Sequence, residues 1–157
     1  MARPNQTWHK LQDISKWQKE QAQLQLAQAL ARQEQMEQKL DETKQALEKL
    51  DRALTVQQEK GISVAAIRQA GEYAHYLFRR LAENKLALAR AKQHVRISQQ
   101  TVLRHVQEEK KWQLLIDKQT NQLRMEERRR ELSEMDEAAV RLYQRSHRLG
   151  SEQLERT

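Results

Sequence analysis

The sequence predicts an all-α fold, an antiparallel two-helix coiled-coil hairpin whose second helix is longer than the first. Three observations predict it. Gly and Pro number 3 and 1 in 157 residues, where average usage gives roughly 11 and 8, so the turns that strands require are not supplied. Charged residues make up 32% and aromatics only 4%, with Ala, Glu, Lys, Leu, Arg and Gln dominant, as in long helices. Apolar residues also recur in alternating steps of three and four. That regularity separates the chain from a disordered one despite a mean hydropathy of −1.03.

The first helix is expected over about 5–60, capped by Asn5 or Thr7 just after Pro4. Its stripe is Met36, Leu40, Thr43, Leu47, Leu50 and Leu54. Gly61 then suits the left-handed position that closes a helix, and Ser63 suits the N-cap of the next. Ile62 is placed to staple onto Ile67. The turn is thus 61–63, and so short a connection makes the helices antiparallel. The second helix is expected over about 64–149. Its stripe runs Ile67, Ala70, Ala74, Leu77, Leu81, Asn84, Leu88, Ala91, Val95, Ser98, Val102, His105, Glu109, Trp112 and Ile116. A 3.5-residue repeat of this kind specifies a left-handed supercoil. Gly150 is expected to end the helix, with Arg145 and Arg148 near its negative pole and a frayed tail over 150–157. The whole chain, 1–157, reads as a single coiled-coil domain.

The stripes can be placed in register. Around a turn at 61–63, residues whose numbers total 124 face each other. Leu54 then meets Ala70, Leu50 meets Ala74, Leu47 meets Leu77, Ala22 meets Val102 and Trp8 meets Ile116. The first helix runs out opposite residue 118 or so. About 30 residues of the second helix, some 45 Å at 1.5 Å per residue, continue without it. That overhang carries a new stripe, Met125, Leu132, Met135, Ala139, Leu142 and Leu149, which a lone helix in water cannot bury.

Several function classes lose support on composition. With no Cys there are no disulfides or thiolate sites, and the five His residues include no i,i+4 pair suited to a metal. No phosphate-binding Gly loop, catalytic Ser–His–Asp set or HExxH occurs. The expectation is a non-enzyme with no cofactor and no metal. No apolar run approaches the ~20 residues of a membrane span, and no signal-peptide core follows the first residues, so a cytoplasmic protein is expected. The net charge of +7 arises almost wholly in residues 68–111. The acid-free stretch from Asn84 to Gln107, with Lys85, Arg90, Lys92, Arg96 and Arg104, reads as a solvated helix face rather than a nucleic-acid site. Arg128, Arg129 and Arg130 sit among glutamates and are expected to pair at i,i+4. Trp8, Trp17 and Trp112 read as structural, Trp8 and Trp112 pinning the open end of the hairpin. Tyr73, Tyr76 and Phe78 lie off the seam and read as interface anchors.

The stretch Trp112-Gln113-Leu114-Leu115-Ile116-Asp117-Lys118-Gln119-Thr120, followed by Arg128 and Met135-Asp136-Glu137, resembles the C-terminal signature of the FliJ family of flagellar type III export proteins. Tyr73-x-x-Tyr76-Leu77, a dozen residues after a Gly-containing turn, resembles that family's tip segment. The chain departs from the pattern at Arg80, where an apolar residue is usual, and at Gly71 inside the helix. The resemblance implies a stalk that enters the ring of the hexameric export ATPase and reaches toward the membrane export gate. It also implies contact with export chaperones and peripheral association with the inner-membrane apparatus. On this reading Met125, Arg128, Leu132, Met135, Asp136, Glu137, Ala139 and Leu142 meet the ATPase, and Tyr73, Tyr76 and Leu77 meet the gate. The alternatives are the equivalent stalk of a virulence injectisome and a self-associating structural coiled coil.

Overall fold

The computed structural model describes residues 4–156, with side chains from Gln6 onward. It consists of helix α1 (Pro4–Lys60) and helix α2 (Val64–Glu155), and no strand occurs among the described residues. Pro4 is tolerated in the first turn because its missing N–H would have no helical partner there. Thr7, expected as a possible cap, lies inside α1, and the side chain of Asn5 lies outside the described residues.

The turn forms for the expected reasons. Gly61 takes φ +83°, the left-handed conformation that a Cβ would disfavour. Ser63 caps α2: its Oγ accepts the N–H of Ala66 at 3.2 Å, and its carbonyl accepts the N–H of Ile67 at 3.1 Å. The staple differs from expectation. Ile67 is 55% exposed, because a helix entered at Ser63 turns Ala66 and Ala70 toward the seam instead.

The chain divides into two compact units. In the unit Asp13–Glu109, α1 and α2 pack antiparallel along one seam. From α1 it takes Ser15, Ala22, Ala29, Met36, Leu40, Thr43, Leu47, Leu50 and Leu54, all buried or half-buried. From α2 it takes the predicted stripe from Ala70 to Glu109, again with every member buried or half-buried. Small residues fall among the most buried, with Ala22 at 4%, Ala29 at 3% and Ala91 at 6% exposure, so the helix axes can approach closely. No large side chain among the described residues is completely buried, as a core only two helices thick requires. One layer is polar. The Thr43 hydroxyl donates to the Lys39 carbonyl at 2.9 Å and accepts Nδ2 of Asn84 at 2.8 Å, which also reaches that carbonyl at 3.4 Å. A satisfied polar layer of this kind fixes register at some cost in stability. Nearer Glu109 the seam closes with an ion pair, Lys19 to Glu109 at 2.6 Å.

In the second unit, Met1–Gln12 with Lys110–Thr157, α1 and α2 also pair. Trp8 and Trp112 meet edge to face with ring centroids 6.2 Å apart, Gln12 Nε2 donates to Gln113 Oε1, and Ile116 is buried. Across both units the cross-helix contacts join residues whose numbers total between 120 and 128, bracketing the predicted register. Gln119 and Thr120 are the last half-buried residues. Every described residue from Asn121 onward is exposed.

Gly150 does not end the helix, and the expected frayed tail is helical through Glu155. A glycine inside a helix costs it about 1 kcal/mol relative to Ala without forcing an end, and beyond Gly150 the Ser151 hydroxyl donates back to the Arg148 carbonyl at 2.9 Å.

Two of the glycines therefore respond in opposite ways to alanine. Gly61→Ala is expected to destabilise the protein by about 1 kcal/mol through its positive φ. Gly71 lies mid-helix in open space, so Gly71→Ala is expected to stabilise by about 1 kcal/mol. Urea unfolding followed by circular dichroism measures both, and equal effects would contradict the backbone assignment.

Candidate docking surfaces

The first candidate surface is the uncovered part of α2. At 100° per residue, Met125, Arg128, Leu132, Met135, Ala139, Leu142, Ser146 and Leu149 fall within an arc of about 120°. The large members stand well out of any packing: Met125 is 58% exposed, Leu132 60%, Met135 68% and Leu142 66%. Asp136 lies at the edge of this arc. Glu137 does not belong to it, since it falls on the polar side, where Arg141 holds it at 3.7 Å. Two apolar residues that the heptad pattern passes over share the face. Tyr143, five turns after Met125, and Leu114, three turns before it, are 70% and 68% exposed. Counting whole turns rather than heptads finds both. The expected i,i+4 pairing of Arg128, Arg129 and Arg130 is absent: none of the three takes part in an ion pair among the described residues. Arg128 faces along the apolar stripe, away from the glutamates on the polar side.

The second candidate surface is in the unit Asp13–Glu109, two to four turns after Ser63. Tyr73, Tyr76 and Phe78 are 48%, 52% and 60% exposed, and the two tyrosine rings stack at 6.3 Å with 22° between their planes. Leu77, expected beside them at the tip, is only 5% exposed. It faces the seam, because the step from Ala70 through Ala74 to Leu77 keeps it in line with α1. Phe78 sits elsewhere on the helix and, with Leu50, Leu54 and Ala74, borders an open apolar hollow rimmed by Glu48 and Asp51. Sequence reasoning missed that hollow, which arises because Ala74 leaves room between larger neighbours.

Trp17 is 60% exposed and, unlike Trp8 and Trp112, pins nothing, since it falls between the seam positions Ser15 and Lys19. Lys85, Arg90, Lys92, Arg96 and Arg104 are exposed along α2. Among the described residues no group of three or more His, Asp or Glu could hold a metal, and no helix is long and apolar enough to cross a membrane.

Long paired helices with an uncovered apolar extension define a class, the coiled-coil hairpin proteins. The family model described as Flagellar FliJ protein matches residues 7–148. The chain belongs to that family and is thus a component of the flagellar protein export apparatus. Neither a curated protein nor a solved structure matches it.

The exposed tyrosine and the buried leucine beside it separate a docking role from a structural one. Leu77→Ala is expected to lower unfolding stability by about 2–4 kcal/mol. Tyr76→Ala is expected to change it by less than about 0.5 kcal/mol. Equal losses in denaturant titrations would place both residues in the seam.

Proposed function

We propose that the protein acts as the stalk and coupling subunit of the flagellar export machine. The uncovered stripe of α2 enters the ring of the hexameric export ATPase, and Tyr73 and Tyr76 meet the membrane export gate. One observation carries this reading: an α-helix with an exposed apolar stripe that no described residue of the chain covers. Burying Met125, Leu132, Met135, Leu142 and Leu149 contributes about 1.5–3 kcal/mol for each side chain. The helix is already formed, so little ordering cost opposes that gain. Arg128 in the stripe, with Asp136 at its edge, supplies polar contacts that fix orientation within a ring. The stacked tyrosines supply rigid, amphipathic anchors of the kind enriched at interface centres. Leu77 supports them from beneath, since its side chain holds that segment of α2 against α1. Export chaperones are further partners on this reading, and the protein works at the cytoplasmic face of the inner membrane without crossing it. The role requires no catalysis by this chain. The family match favours the flagellar machine over a virulence injectisome.

Co-purification with the hexameric ATPase tests the first contact. Leu132→Asp combined with Met135→Asp is expected to abolish association while leaving helicity nearly unchanged; retained association would overturn the assignment. Tyr76→Ala is expected to weaken binding to the cytoplasmic domain of the gate protein and to leave ATPase binding intact. Equal loss of both would mean that the tyrosines do not form a separate site.

A further inference from the structure

The exposed stripe of α2 is palindromic. Its seam positions, in steps of three and four, are Met125, Arg128, Leu132, Met135, Ala139, Leu142, Ser146 and Leu149. Read backwards, the same spacing returns. Residues whose numbers total 274 pair throughout: Met135 with Ala139, Leu132 with Leu142, Arg128 with Ser146 and Met125 with Leu149. The next pair outward is Asn121 with Gln153, two amides able to bond each other. From this we infer that the protein associates with a second copy of itself through an antiparallel coiled coil over residues 121–153, about a two-fold axis near residue 137.

The flanking charges support this arrangement independently of the apolar pattern. In an antiparallel pair the positions just before the first seam residue of each heptad face one another. These are Arg124, Glu131, Ala138, Arg145 and Glu152. The register brings Arg124 to Glu152 of the second copy and Glu131 to Arg145 of the second copy. Symmetry repeats each pair, giving four ion pairs, and the two Ala138 residues meet at the axis with no charge. Side chains lean toward their own N-terminus, and in this geometry both members of each pair lean toward each other. The two Asp136 residues also face across the axis, but on the opposite flank, where the same lean carries them apart. Arg128 meets Ser146, whose hydroxyl donates to the Tyr143 carbonyl at 3.0 Å and keeps lone pairs free to accept the guanidinium. The paraffinic stem of Arg128 covers the neighbouring leucines.

A parallel pair is disfavoured by the same residues. It would set Arg128 against its own copy inside the seam, Arg124 against Arg129 and Glu131 against Asp136. The antiparallel arrangement also leaves the hairpin unchanged, because every residue it uses is exposed in the single chain. It covers the face assigned above to the ATPase, so the ring and the second copy compete for one stripe. The self-pairing rests on the pattern and charges alone, not on the ATPase reading.

Sedimentation of the full chain in the absence of any ATPase tests it. The expected result is a reversible dimer. Arg145→Glu replaces two attractive contacts by two repulsive ones and is expected to weaken dimerisation about tenfold. Glu131→Arg is expected to do the same, and the two together to restore it. Orientation is read by cross-linking, since the chain has no native Cys. Asn121→Cys and Gln153→Cys proteins, mixed, are expected to be joined by a short bis-maleimide. Neither is expected to join to itself, because like positions lie about 48 Å apart along the axis. A monomer at all accessible concentrations, failure of the charge swap to restore association, or self-joining of Asn121→Cys would each overturn the inference. Because no ATPase is present, none of these outcomes bears on ring binding.

Discussion

Two helices can protect only one narrow strip of each other, and that constraint governs everything else in this protein. A globular core would hide apolar residues from several directions; here a side chain is covered from one side only. Even the best-buried positions are small residues or sit at a few per cent exposure. The protein therefore keeps its apolar content low and sets its covered positions in a strict repeat, while charged and amide residues hold most of the others. Where the first helix ends, protection ends with it. The apolar repeat of α2 does not end there, and the excess stands exposed.

The seam was legible residue by residue because a coiled coil is the case in which local sequence and tertiary contact share one period. From Met36 to Leu54, and from Ala70 to Ile116, each predicted seam position is buried or half-buried, and the turn follows from Gly61 and Ser63. Failures occurred where local signals competed with surroundings that sequence does not display. Gly150 carries the same conformational freedom as Gly61, but a glycine inside a helix does not force an end. Ile67 has the right spacing for a staple and points the wrong way by one residue. The Arg128–Arg130 run has glutamates at the right intervals, yet Arg128 lies on the apolar face. Trp17 is large and apolar, and falls between seam positions.

The candidate surfaces were less legible than the fold for a related reason. Exposure follows from being off the seam, so Tyr73, Tyr76 and Phe78 could be read directly. A heptad list, however, imposes one register on a helix that has no partner to enforce it. Tyr143 and Leu114 share the exposed face by whole helical turns, and Glu137, which the family resemblance rather than the repeat singles out, falls on the polar side. Leu77 carries two expectations, a seam position from the helical repeat and a place at the tip from the family resemblance, and its side chain lies in the seam at 5% exposure.

Consider finally the edge-to-face meeting of Trp8 with Trp112. A coiled coil whose buried layers are much alike can slide by seven residues and lose little. Two indoles at one level resist this, since a shifted helix would set each against a residue too small to fill its place. They act as a ruler. A slip of one heptad would lengthen or shorten the bare end of α2 by about 10 Å, so the aromatic contact helps to set how much of the helix stands uncovered.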